Sequence, residues 1–335
     1  MYLKIKHYFL LFSFLGFFLG IGALSFQGYF DHYGDEMILA QKVSKSPEDS
    51  YFKDVTFYHQ VNQKPQISMD AVELVVSEDF SSVLALQLKG LYYSEGKLEP
   101  MKFRAEKGLA ISQSDLLNLE KNVELEDDKY LVLADKLSIF ERGKKIIGNG
   151  NVKTYTEVKN QNNMQSDVSK VTVSSEQMTY YAPRNFVEYA KNVQGTMKRL
   201  RSYEDGMDFK TQSLVMEGDK GLISLNGSVY VEKGKFQVWS NRGEIFLENY
   251  NKKLKYYALS DDVRLREEIP MNGRKIERKA FAEKLEGWMN EKKVILTGFP
   301  KVIQEKDIIK GNRIVLRENS ESVEIDDANS SLILK

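Results

Sequence analysis

The residue types that carry catalysis are scattered along this chain of 335 residues, and their spacing supports no familiar reaction. Glycoside hydrolysis needs paired carboxylates at a defined separation. The adjacent acids Asp261–Asp262 and Glu267–Glu268 do not provide such a pair, because neighbouring residues of a strand point to opposite faces. The histidines, His7, His32 and His59, lie near the amino terminus, and there is no Ser–His–Asp set, phosphate loop or metal-spaced cluster. We therefore expect no enzyme activity, no cofactor and no metal site.

The composition excludes further kinds of chemistry. The chain contains 48 basic and 48 acidic residues, so it has no net field that would hold nucleic acid non-specifically. It contains no cysteine, which excludes disulfides, thiolate metal sites, a cysteine nucleophile and a lipid-anchored amino-terminal cysteine. We therefore expect no nucleic-acid partner.

An apolar segment near the amino terminus predicts a membrane anchor. Two lysines precede an uncharged run over residues 8–30. Its centre, residues 9–26, would span about 27 Å as a helix, close to the thickness of a hydrocarbon core. The alternative is a cleaved signal peptide, because residues 23–25 form an A-x-S site. We favour an uncleaved anchor over residues 1–30, whose positive flank stays in the cytoplasm, followed by a polar tether over residues 31–50.

A short unit recurs along the rest of the chain. In each copy a small residue opens one strand, and a valine of a second strand follows 18 positions later, as in Ala105 and Val123. A fixed spacing inside the unit and a variable gap between units indicate stacked two-strand modules. We expect the valines to pack inward. In the last copy Pro300 replaces the valine, and since proline cannot donate to a ladder, we expect the stack to end nearby. The other copies are Ala134 with Val152, Ser175 with Val193, Thr211 with Val229 and, more loosely, Ser240 with Val263.

Apolar and polar residues alternate from residue 51 almost to the carboxyl terminus, which predicts strands with one buried face. In VLALQL, for example, Leu84, Leu86 and Leu88 are expected to share a face. The polar residues 156–170 lack alternation and predict a long loop. We therefore divide the strands into modules at residues 51–155 and 156–335.

Two parts of the chain resemble known families. Residues 51–108, from YFKDVTFYHQ through QISMDAVEL to FRAEKGLA, resemble the start of the periplasmic domain of the LptC family, which also has one amino-terminal membrane helix. The later units, in which A-x-K-L strands are followed by G-N-V or G-x-V strands, resemble the amino-terminal domain of the OstA/LptA family. The resemblance implies an all-β fold. It is an elongated open β-jellyroll whose stacked two-strand units form two sheets in a V-shaped trough, here with one amino-terminal transmembrane helix. The modules would then be LptC-like and OstA/LptA-like.

The resemblance also implies a function in the export of lipopolysaccharide. LptC sits on the inner-membrane LptB–LptF–LptG ABC transporter and passes lipid to LptA. This chain would accordingly be a single-pass protein of the inner membrane, with its carboxyl-terminal domain in the periplasm. An LptA- or LptD-like jellyroll would join it by strand addition at its terminal edges. We expect Tyr51–Tyr58 to face the transporter, and Ile314–Leu316 and Leu332–Leu334 to face the next partner.

The apolar interior of this fold is the candidate lipid site. Alternate apolar side chains can shield acyl chains without specific hydrogen bonds. The candidate lining residues are Val55, Phe57, Ile67, Met69, Leu74, Leu86, Leu88, Phe103, Leu131, Leu133, Leu137 and Ile139. An envelope scaffold with a closed core would use the same residues as plain core, and a soluble bridge component would result if the chain is cleaved after Ser25.

Overall fold

A computed structural model of the chain describes residues 49–95, 99–127, 130–159, 168–199, 206–248, 253–271, 274–288, 293–317, 320, 322–325 and 331–333. The expected membrane anchor, and all but the end of the expected tether, lie outside these residues. Within the described ranges, no helix is long and apolar enough to cross a membrane. Tyr51–Lys335 form one compact unit.

The described residues are almost entirely strands, which confirms the all-β prediction. Short 3-10 turns at Glu141–Gly143, Ala182–Arg184 and Gly218–Lys220 connect β6 to β7, β8 to β9 and β10 to β11. The strands are β1 (Ser50–Val61), β2 (Lys64–Val76), β3 (Ser82–Tyr92), β4 (Met101–Ile111), β5 (Leu116–Glu126), β6 (Tyr130–Phe140), β7 (Lys145–Lys159), β8 (Val168–Tyr181), β9 (Phe186–Arg199), β10 (Met207–Glu217), β11 (Leu222–Lys233), β12 (Phe236–Glu248), β13 (Lys253–Met271), β14 (Arg274–Trp288), β15 (Lys293–Thr297), β16 (Lys301–Gln304), β17 (Asp307–Lys310), β18 (Arg313–Arg317), β19 (Val323–Ile325) and β20 (Ser331–Ile333).

Strands β1 to β14 pair each with the next in one continuous sheet, antiparallel from β2 onward. The expected module boundary between residues 155 and 156 falls inside β7, which pairs with β8. The expected long loop is correspondingly shorter, since only residues 160–167 separate these two strands. Beyond β14 the sheet divides into two arms, β15–β18–β19 and β16–β17–β20.

Each odd-numbered strand from β5 to β13 has a bulge near its middle, which we call a corner. Two consecutive residues there adopt left-handed backbone angles, as Lys121 (φ 63°) and Asn122 (φ 50°) do just before Val123. The register between strands shifts at the same points. Because bulges bend strands, the corners fold the sheet into two halves. On β4, Met101–Arg104 belong to half A and Lys107–Ile111 to half B, and the pairing extends this division to the other strands.

The repeated residues are the building blocks of the corners. Each repeat valine is 0–1% exposed, which confirms that the valines pack inward. The direct partner of each valine is the small residue of the next unit rather than of its own: Val123 pairs with Ala134, and Val152 with Ser175. Small side chains suit this position because the two halves meet there. Pro300 follows a similar pair of left-handed residues, Gly298 and Phe299, between β15 and β16, and we call this the last corner. The sheet divides here, as expected for the end of the stack.

Polar side chains hold the corners from the outside. Asn122 Nδ2 donates a hydrogen bond to Glu106 Oε1 (2.6 Å), and Asn151 Nδ2 donates to Asp135 Oδ2 (2.8 Å). Asparagine also tolerates the left-handed backbone that each corner requires. The asparagines of the repeat therefore have a structural role, and the acid that follows each small residue is their partner.

The bulges also correct the expected alternation. Gln87 has a left-handed backbone (φ 48°), so Ala85 and Leu88 point to the core while Leu86 points outward, and the expected common face of Leu84, Leu86 and Leu88 is wrong. At the far end, β18 is paired on both sides, with β15 and with β19. Ile314–Leu316 are therefore not an open edge. The last strands of the two arms are β19 and β20.

Candidate functional site

The two halves enclose one apolar interior, and most of the expected lining residues lie in it. Seven of them are buried core residues of β2 to β6, and each of these seven is at most 4% exposed. The core members are Ile67, Met69, Leu74, Leu88, Phe103, Leu137 and Ile139, with Val55 and Phe57 of β1 partly buried against them. The structure places Leu86, Leu131 and Leu133 on the outer surface, where their register partners include Lys107, Tyr155 and Lys153.

The amino-terminal end of the interior is closed. The residues after β3 meet the turn between β6 and β7, where Glu95 N donates to Arg142 O (3.1 Å) and Lys144 pairs with Glu95 (3.0 Å). These contacts join the free margins of half A and half B. A cavity of about 20 Å³ between the halves here is lined in part by Phe57 and Tyr92. Burial raises the pKa of Tyr92 to about 12, so its hydroxyl stays neutral at physiological pH. This cavity holds about one water molecule and is too small for an acyl chain.

The carboxyl-terminal end is closed by a buried ion pair. Arg278 of β14 is 0% exposed and contacts Glu267 of β13 at 2.6 Å, with its side chain on the core side of half A. Arg278 Nη1 also donates to Ser320 O (2.8 Å), and Nη2 donates to Arg317 O (3.3 Å). Arg317 is the last residue of β18 and Ser320 follows it, at the margin of half B. A charged side chain thus ties the two halves together where the sheet divides.

Between these ends, the interior is lined by apolar side chains that are only half-buried. They lie on the inward faces of β8 to β13, on both halves, and pack against the core. Such side chains keep apolar surface accessible, and this is the property that a lipid-binding groove needs. We call this set the central groove: Val171, Val231 and Phe236 in half A, and Tyr180, Val187, Met216, Ile223, Ile245 and Tyr257 in half B.

The halves approach each other beneath the central groove. Thr154 of half A lies 3.7 Å from the sulfur of Met178 in half B, and Tyr189 is buried nearby with its pKa raised to about 12 by that burial. The alternation pattern alone does not single out these residues. The methionines of β8 to β10 could have indicated this region from the sequence. Methionine is flexible and is enriched at surfaces that adapt to varied partners.

A larger concavity lies elsewhere. It has a volume of about 1050 Å³ and follows the first corners on the outer surface. Its lining is polar and carries more acids than cations: Asp54, Asp70, Glu106 and Glu124 against Lys89 and Arg104. This lining does not suit acyl chains. Among the residues that the structure describes, no cluster of histidine and acidic side chains is arranged to hold a metal ion.

Comparison with known proteins gives a partial match. No curated protein is detectably similar in sequence. Solved structures that match include LptH, the LptA homologous periplasmic component of the lipopolysaccharide transport device from Pseudomonas aeruginosa. Its identity is 16% and its TM-score 0.35, over 38% of this chain and 94% of that chain. Residues 208–322, from β10 to β18, match a family model described as LptA/(LptD N-terminal domain) LPS transport protein. The carboxyl-terminal part of the sheet, including much of the central groove, is thus similar to this family of LPS transport proteins.

Proposed function

We propose that this protein is a non-enzymatic carrier of lipopolysaccharide across the periplasm, and that the lipid's acyl chains occupy the central groove. The observation that carries the proposal is the row of half-buried apolar side chains on the inward faces of β8 to β13. The family match over residues 208–322 overlaps this row and supports the same cargo.

The physical reason for a groove is the cost of exposing acyl chains to water. That cost is about 0.8 kcal/mol per CH₂, which amounts to many kcal/mol for a lipid with several chains. In the groove one apolar contact can be exchanged for another, so each step of movement has a low barrier. Flexible residues such as Met216 can adjust to the moving chain.

The proposal extends to the setting of the chain in the envelope. Residues 1–30 would anchor it in the inner membrane as a single-pass protein. It would receive lipid from an LptB–LptF–LptG-like ABC transporter and pass it to an LptA- or LptD-like jellyroll. The open edge of β1 would face the transporter, and the ends of the two arms at β19 and β20 would face the next partner. In this proposal residues 51–155 form the LptC-like module and residues 156–335 the OstA/LptA-like one.

The lining residues predicted from the sequence have a separate place in this proposal. Those in the core, such as Met69 and Leu137, would line the route only if the closed amino-terminal end opens during transfer. At rest they pack against one another, and the groove begins at β8.

Site-specific photo-crosslinking in cells tests the proposal. A photoreactive residue at Met216 or Ile245 is expected to crosslink to lipopolysaccharide. The same residue at Leu86, which points outward, is the matched control and should give none. Crosslinks to protein alone at Met216 and Ile245 would favour the alternative, an envelope scaffold with a closed core, for which the tightly packed β2 to β6 region is the supporting observation.

Fractionation tests the anchor separately. An uncleaved chain should stay with membranes after washing with carbonate. Release into the supernatant would instead favour a soluble bridge component cleaved after Ser25.

A further inference from the structure

The outer surface of half A is basic where β12, β13, β14, β16 and β17 form it. We call the exposed side of residues 235–239, 264–268, 275–281 and 301–310 the basic face. One row of register partners crosses it in the order Trp239, Arg264, Phe281, Lys301 and Lys310. The rings of Trp239 and Phe281 are 38% and 40% exposed. The row therefore combines two aromatic rings with three cations and contains no acid, although Arg264 is paired with Asp262 of its own strand (2.6 Å).

The basic face contains more cations than acids. Glu268 pairs with Lys235 (3.3 Å), and Glu277 pairs with Lys279 (3.0 Å) and Arg266. Among the described residues, no ion pair involves Lys301, Lys306 or Lys310. The surplus is local, because the whole chain is neutral.

Like charges stand next to each other on this face. Lys301 lies directly opposite Lys310 on the neighbouring strand, an arrangement that destabilises a sheet. Lys235 also lies close enough to Lys275 to lower the pKa of Lys275, through the contact between their amino groups. On the same outer surface near the amino terminus, by contrast, Lys89 is opposite Asp70 and Arg104 is opposite Glu124. An anionic partner would remove the repulsion at the basic face.

The last corner adds a third aromatic ring beside this face. Phe299 has a left-handed backbone (φ 56°) and is 89% exposed. The equivalent residue before each valine is Asn122, Asn151, Asn192, Ser228 or Asp262, all of them small or polar. A phenylalanine at this position is unfavourable twice, because its backbone is strained and its ring lies in water. Both costs would be offset if the ring entered an apolar environment.

We propose that the basic face docks on an anionic phospholipid surface. Its lysines would lie among the phosphates, and Trp239, Phe281 and Phe299 would enter the interface, where aromatic rings are favoured. The face is the back of half A, so docking leaves the central groove free. The contact would hold the carboxyl-terminal part of the sheet at a membrane, independently of the apolar run at residues 8–30. It does not depend on lipid carriage.

Fluorescence of a single tryptophan tests this docking in the full-length chain. The chain has two tryptophans, so Trp288→Phe leaves only Trp239. The protein is first held in vesicles of phosphatidylcholine, and brominated vesicles are then added. Vesicles of brominated phosphatidylglycerol are expected to quench Trp239, whereas brominated phosphatidylcholine is not. The reverse variant, Trp239→Phe, reports on Trp288 in half B and should show no quenching.

Charge variants make the test specific. Each lysine near an anionic surface contributes about fivefold to binding. Lys301→Gln with Lys310→Gln should therefore raise the vesicle concentration at half-maximal quenching by about thirtyfold. The control, Lys89→Gln with Lys153→Gln, makes the same charge change at the other end of the surface and should have little effect. Equal losses in both pairs, or equal quenching by neutral vesicles, would overturn the proposal. Retention on a phosphorylated glycan without any response to vesicles would instead assign the face to a soluble polyanion. Failure of the crosslinking experiment at Met216 would leave this result unaffected.

Discussion

Replacing Arg278 by methionine is expected to be among the most destabilising single changes in the sheet. The substitution leaves the Glu267 carboxylate, whose side chain is 7% exposed, without its cation. Breaking a buried ion pair in this way costs about 3–5 kcal/mol in the free energy of unfolding. A typical total stability is about 5–15 kcal/mol, so the loss would be a large fraction of it. The variant also loses both hydrogen bonds to the carbonyls of Ser320 and Arg317.

The double variant Glu267→Leu with Arg278→Met removes both charges, so that no buried carboxylate is left without its cation. Replacing a buried pair by apolar residues of similar volume is often neutral, or stabilising by about 1–4 kcal/mol. The double variant should therefore recover most of the stability that Arg278→Met loses. Urea unfolding followed by circular dichroism gives both values.

A surface ion pair with the same N–O distance serves as the control. Arg264 and Asp262 are also 2.6 Å apart, but their side chains are 59% and 60% exposed. Arg264→Met should cost at most about 1 kcal/mol, because exposed pairs contribute little. The reasoning fails if Arg264→Met and Arg278→Met cost the same, or if the double variant is no more stable than Arg278→Met. Hydrogen exchange adds a local test: residues 313–325 should exchange faster in Arg278→Met, while β2 to β5 are unchanged.

Three further outcomes are expected. Gly195→Ala should destabilise the sheet by about 1–3 kcal/mol in thermal or urea unfolding, because its Cβ would lie 2.0 Å from the Phe209 ring; Gly148→Ala, with no contact under 3.4 Å, is the control, and equal costs would contradict the prediction. Lys191→Gly should stabilise the protein by up to about 1 kcal/mol, since Lys191 has a left-handed backbone (φ 64°) that glycine adopts without strain; a loss of stability would refute this. Hydrogen bonds from the Ser81 hydroxyl, the Ser81 amide and the Ser77 hydroxyl lower the pKa of Asp79 to about 2, so its contribution to stability is present above about pH 4 and is lost as the pH falls through 2. A carboxyl titration by NMR that gave Asp79 an ordinary pKa near 4 would contradict this.

Strand content, the repeat and the inward valines could be predicted from sequence because each depends on local pattern. Alternation with a period of two predicts strands. Each repeat valine directly follows the two residues that form the corner, so its inward position depends on a short stretch of sequence. The faces of Leu86, Leu131 and Leu133 could not be predicted in the same way. On β3 the alternation is reset at Gln87, whose φ of 48° no hydrophobicity pattern reveals. On β6 the inward set changes from Val132 and Ala134 to Leu137 and Ile139 where the strand crosses from one half to the other.

The candidate groove was harder to predict than the fold. Apolar alternation singles out positions of β1 to β6, and seven of the twelve residues expected to line the site are tightly packed core. The side chains that remain accessible, such as Val187 and Ile245, look the same in sequence. Their exposure depends on how closely half A approaches half B at each level, which is a long-range property. Arg278 was missed for a related reason: within the charged run RKIERK, nothing in the sequence distinguishes it from the residues that stay on the surface.

The corners have a consequence for how the protein tolerates change. A one-residue deletion in an ordinary strand reverses which side chains face inward along all of its remaining length. Here each bulge already contains an unpaired residue, and the strand segments on its two sides each keep their own register with the neighbouring strands. A deletion within half B of β9 could therefore be absorbed at Lys191 and Asn192, and Val193 and the segment beyond it would keep their partners. Insertions and deletions should accumulate on one side of a corner at a time, so the back of half A and the groove-lining margin of half B can diverge separately in evolution.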